Sequence, residues 1–120
     1  MVSLTATLFK ALIQDTNLSD TNAEYIIDFA ISQINLYSHA DLSLMSGTAG
    51  SKTVNFESEE YAAVLTAARA VYYGFYKRLE TATAGGAVTV SSPDLESNPV
   101  VLAEIKEAAR QIAELDVGRA

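Results

Sequence analysis

The chain has 120 residues, and its 15 acidic against 8 basic side chains give a formal net charge of −7. Cysteine is absent, which excludes thiolate catalysis, a thiol redox switch and cysteine-ligated zinc. The acidity opposes binding to a duplex phosphate backbone, and one domain of this length buries roughly 65% of its unfolded surface without staples.

The opening stretch, MVSLTATLFKALIQD, lacks a basic start and an unbroken apolar run, so it does not read as a signal peptide. Residues 4–14 read as a short first helix, with Leu4, Leu8, Ala11 and Leu12 on one side and Phe9 and Ile13 adjoining. A polar stretch from Asp15 to Asp20 ends it. The second helix is expected over 20–38, capped by a Thr21/Glu24 box or by Ser19 or Asp20. Its core face is Ala23, Ile26, Ile27, Ala30, Ile31, Ile34 and Tyr37, and Tyr25, Phe29 and Leu36 form a separate apolar patch nearly opposite. Asp20, Glu24 and Asp28 make an acidic line, one every four residues, on a helix with no Lys or Arg.

Residues 39–57 form a connection of a length that usually carries function, strand-like at Thr53 to Phe56. The third helix is expected over 58–79, with Ser58 as its cap and Lys77 and Arg78 complementing the dipole in its last turn. Tyr61, Val64, Leu65, Ala68, Val71, Tyr72, Phe75 and Leu79 form its buried face, and Ala63, Ala67, Ala70 and Gly74 a second strip of small residues. Ala62, Arg69, Tyr73 and Tyr76 lie between the two strips. A helix so apolar all round must be covered on most sides. Its apolar run is too short for a membrane span of ~20 residues, and Arg69 stands in its middle. A second long connection, 81–98, has a strand-like Val88 to Val90, able to pair with Thr53 to Phe56. Asn98 and Pro99 open a last, two-sided helix over 99–116, with Val101, Leu102, Ile105, Ala108, Ala109, Ile112 and Leu115 facing in. The whole reads as a single all-α domain over 1–120, a four-helix bundle-like subunit with two long loops.

Chemistry finds little to stand on. Ser46 to Thr53, SGTAGSKT, superficially resembles a phosphate-binding loop, but Ser51 and Ser46 occupy the two places where that motif needs glycine. The single histidine, His39, cannot supply the ligand set of a di-iron bundle or a catalytic zinc, and reads as the end of the second helix. Glu59 and Glu60 need only the helix dipole as explanation. Arg69 reads as a charge paired with a carboxylate, its stem on Tyr73. No catalytic residue, cofactor or metal site is expected. The surplus of apolar surface at Tyr25, Phe29, Leu36, Tyr73 and Tyr76 points instead to a subunit or partner interface.

The order of elements resembles the small head–tail connector (adaptor) proteins of tailed bacteriophages and related archaeal viruses. The likeness covers most of the chain. It consists of the short first helix, IIDFAISQINLYS, the long loop, the Ala-rich AAVLTAARAVYYGFYKRL and the terminal helix after SNPVV. It implies a structural subunit, not an enzyme, at the neck of a virion. Such a subunit joins a ring with copies of itself, usually twelvefold, below the portal protein. It extends the DNA channel, through which DNA passes without specific binding, and docks a further connector or tail protein. No membrane is involved. On that reading Asp20, Glu24 and Asp28 are expected to face the channel. The alternatives for the line are a solvated face or a neighbouring subunit's Lys52, Arg69 or Lys77. The competing reading of the whole chain is a small monomeric or dimeric helical module with a partner-binding or regulatory role; a third is a nucleic-acid-handling protein of the same virus.

Overall fold

The structure, a computed structural model, describes residues 1–77 and 94–119, the last four as backbone alone. In chain order these form strand β1 (Val2–Thr5), helix α1 (Ala6–Ile13), α2 (Asp20–Ser38), strand β2 (Thr53–Phe56) and α3 (Ser58–Val71). A π-helical turn, Tyr72–Tyr76, prolongs α3; a 3-10 turn, Leu95–Ser97, precedes α4 (Pro99–Arg119). The expected ends of the third helix at 78–79, Leu79 on its core face and the Val88–Val90 segment lie outside the described residues.

The fold is mostly helical but not all-α, which corrects the expectation. Val2 and Leu4 alternate with Ser3 and Thr5, a strand pattern, and β1 pairs antiparallel with β2 in the register Val2↔Phe56, Leu4↔Val54. The pairing turns Leu4, Val54 and Phe56 into the core, each at most 4% exposed. Thr5 ends the strand and caps α1, its hydroxyl accepting from the Leu8 amide at 3.2 Å. Starting the helix at Ala6 also turns it: Ala6, Phe9 and Ile13 are buried, while Leu8, Ala11 and Leu12 face out. Of the apolar side read from the sequence only Leu4 is in the core, as part of the strand, and the helix is buried through the adjoining Phe9 and Ile13.

Helix α2 has the bounds its sequence signals. Ser19 is the cap, accepting from the Asn22 amide at 3.1 Å. His39 closes the other end in the left-handed conformation, φ 60°, its amide donating to the Asn35 carbonyl at 2.9 Å. Glu57 rather than Ser58 caps α3 through a capping box with Glu60. Asn98 caps α4, its side-chain oxygen accepting from the Val101 amide at 3.3 Å.

Helices α2, α3 and α4 pack mutually, α1 rests on α2, and the sheet lies against α3. Ile26, Ile27, Ile31 and Ile34 of α2 meet Val64 and Val71 of α3 and Ile105 and Ile112 of α4 in one core cluster, all fully buried. Burying each such side chain contributes about 1.5–3 kcal/mol. On α3 both expected strips are covered, so the buried band runs through Ala63, Val64, Ala67, Ala68 and Val71, leaving Ala62, Thr66, Arg69 and Tyr73 outside. Leu65 is half-buried rather than central.

Beyond Val71 the π turn changes the count. A regular helix would carry Phe75, four residues on, back to the core. The wider turn holds about one residue more, so Tyr76 returns instead and Phe75 is left half-buried. The Tyr72 ring packs edge-on against Phe9 of α1, centroids 6.5 Å apart, and its hydroxyl bonds the Asp15 carboxylate.

Candidate functional site

The acidic line of α2 is not a single exposed row: the structure turns Glu24 and Asp28 onto the chain's own long connection. Residues spaced four and eleven apart lie within about 40° on a helix, so Glu24, Asp28 and Asn35 share one stripe. Glu24 is only 3% exposed. Its Oε1 accepts from the Gly50 amide at 2.8 Å and its Oε2 from the Lys52 amide at 2.9 Å. Asp28 Oδ1 accepts from the Met45 amide at 2.8 Å. Asn35 both accepts from the Leu42 amide, at 2.9 Å, and donates to the Leu42 carbonyl, at 3.0 Å. Asp20, at the head of the line, pairs with Lys10 of α1 at 3.0 Å.

Chemically, the stripe supplies the acceptors that a non-repetitive backbone needs when it is laid against a helix. Gly50 takes a positive φ of 91° beside its bond to Glu24, and Ser51 donates to the Thr48 carbonyl to close the turn. A pair of bonds between Ser46 and Thr53, both 3.0 Å, ties the turn to β2. Burial pushes the Asp28 carboxyl above the usual carboxylate range; the Met45 amide and Lys52 oppose that, and the Glu24 charge adds to it. So the loop resembling a phosphate-binding turn has two of its amides engaged by Glu24. Asn35 was not singled out from sequence, because an asparagine in the last turns of a helix carries no signal of a partner seven residues on.

The five residues expected to make an interface separate into three groups. Tyr25 and Phe29 are half-buried and pack on the core. Tyr76 is 3% exposed, so it belongs to the interior and not to an interface, the π turn having rotated it there. Its phenol is pushed up to about 12, first by burial and then by the nearby Tyr25. Leu36 and Tyr73 remain outside, 61% and 44% exposed. Lys77 stands over the Tyr73 ring at 5.1 Å, where Arg69 had been expected.

Tyr73 lines an open cleft of about 300 Å³ with Ala70 and Gly74, faced from the start of α4 by Asn98, Val100, Val101 and Glu104. Val100, 72% exposed, forms its outer lip. Among the described residues the other large apolar side chains left outside are Met1 before β1, Leu8 and Leu12 on α1, Leu44 in the long connection, and Tyr37, which the sequence had placed on the core face of α2. Along α4, Arg110 is clasped between Glu107 and Glu114 on the solvent face. Among the described residues no group of three or more His, Asp or Glu side chains is placed to hold a metal, and no helix is long and apolar enough to cross a membrane. Comparison with protein-family models, with curated proteins and with solved structures finds no match to this chain.

Proposed function

We propose that the chain is a structural subunit of a viral head–tail connector: one member of a ring below a portal, extending the DNA channel and docking the next connector or tail protein. The observation that carries this reading is the placing of large apolar side chains outside the core on different helices. They are Leu8 and Leu12 on α1, Leu36 and Tyr37 on α2, and Tyr73 with Val100 at the α3–α4 cleft. A ring is built from head-to-tail contacts, so each subunit needs two unlike sticky patches, whereas a simple twofold dimer needs one. The net charge of −7 suits a conduit that must not grip DNA. That argument now rests on the overall charge, because Glu24 is engaged inside the subunit.

The test is the mass of the chain by light scattering, alone and mixed with the portal protein of the same virus, followed by electron microscopy of the mixture. A ring on the portal is the expected result. A chain that stays monomeric and ignores the portal overturns the reading and leaves the regulatory module, whose partner would use the same exposed side chains. Retention on DNA that falls steeply with salt would favour the nucleic-acid-handling alternative.

A further inference from the structure

We propose that residues 40–52 form a strap that lifts from the helical body as a unit while the helices stay folded, and that lifting converts Glu24 and Asp28 from internal acceptors into exposed carboxylates. The inference does not depend on the connector reading.

The strap is held by polar groups at three levels of one helix: Asn35 grips Leu42, Asp28 grips the Met45 amide, and Glu24 grips the Gly50 and Lys52 amides; the two Ser46–Thr53 bonds to β2 must part with them. Its apolar anchorage is thin. Met45 is its one buried residue and Ala40 and Leu42 are half-buried against the core, whereas Ser43, Leu44, Ser46, Gly47, Thr48 and Ala49 are exposed. Segments with few buried apolar contacts open at a fraction of the global free energy. The body loses little when the strap leaves, because Ile26, Ile27, Ile31 and Ile34 of α2 belong to the core shared with α3 and α4. At its start the strap leaves α2 through His39, already in the left-handed conformation at φ 60°. What the open state gains is two carboxylates released to water. A stripe that is silent in the closed subunit becomes an acidic surface in the open one.

The two methionines provide the probe, because Met1 is 88% and Met45 6% exposed. Hydrogen peroxide transfers one oxygen atom to a thioether sulfur, leaving a sulfoxide and water, and Met45 reacts when the strap is up. The rates at both residues are read by mass spectrometry across urea concentrations below the unfolding transition. Met45 oxidation is expected to be nearly flat in urea, since lifting the strap exposes little surface, and Glu24→Gln is expected to speed it about tenfold with Met1 unchanged. A Met45 rate that climbs with urea in parallel with global unfolding overturns the proposal. So does a Glu24→Gln chain with intact helices and an unaltered Met45 rate. If Glu24→Gln does not fold, the urea series on the unaltered chain decides alone.

Discussion

Gly74 lies directly against the side chain of Val101, with no room between them for a Cβ. One built at Gly74 would fall inside contact distance of Val101 Cγ2 and 3.0 Å from Asn98 Nδ2. The contact is where the π turn of the third helix passes the first turn of α4, and glycine is what lets the two approach. Gly74→Ala is expected to destabilise the fold by about 1–3 kcal/mol through overpacking, despite alanine's better helix propensity. Urea melting of Gly74→Ala, Val101→Ala and the pair checks this. The double variant should recover part of the loss, and strictly additive effects would refute the contact.

Glu24→Ala removes a buried acceptor and strands the Gly50 and Lys52 amides. The expected loss of unfolding free energy, read from denaturant melts, is about 2–4 kcal/mol, from charge-assisted hydrogen bonds left without a partner. Amide exchange at Gly50 and Lys52 should rise with it. A loss below half a kcal/mol would mean that the turn is held by other means.

Asp28 has the opposite sign. Its native carboxyl titrates above the ordinary value of 3.8, because burial outweighs the Met45 amide and Lys52. The folded state therefore takes up the proton first, and stability rises as pH falls from the raised native value towards 3.8. Asp28→Asn keeps an oxygen for the Met45 amide and removes the charge. It is expected to be more stable than the unaltered chain at pH 7 and to lack this gain on acidification. Thermal melts of both chains from pH 7 down to pH 4 decide it; a variant less stable at pH 7 contradicts the assignment.

Tyr76 governs the alkaline side. The unfolded phenol ionises near 10.0 and the native one at about 12, so stability from this group is complete below pH 10 and is lost as pH rises towards 12. Ultraviolet titration should show a late phenolate step that Tyr76→Phe deletes. If that step survives in the variant, it belongs to another tyrosine.

Much of the fold was legible because its signals are local. The isoleucine-rich face after a polar break set the extent of α2, though its cap is Ser19 and not the Thr21/Glu24 box, and Asn98–Pro99 with a one-sided pattern set the start of α4. What failed was decided by distant partners. Leu4 and Leu8 are four apart and read as one helical face, but Leu4 belongs to a strand whose mate is Val54. Phe75 and Tyr76 changed places because one widened turn shifts every later residue by about 100°, and the wider turn coincides with the approach of Val101 to Gly74. Glu24 looks in sequence like any surface acid. The usable hint was a carboxylate with no cation on its own helix, ahead of a glycine-bearing loop rich in free amides. Leu36 and Tyr73 lie outside the core, as their positions off the core faces of their helices predict.

The β1–β2 register has a consequence for the order of events during synthesis. Leu4 is fully buried, yet its partner Val54 is made fifty positions after it. Until then β1 has no mate, and closing so long a loop must precede the pairing that stabilises it. Strand β1 is therefore fastened only after α1, α2 and the long connection have been made. A ribosome paused before Thr53–Phe56 would carry a nascent segment whose opening strand is still without its mate.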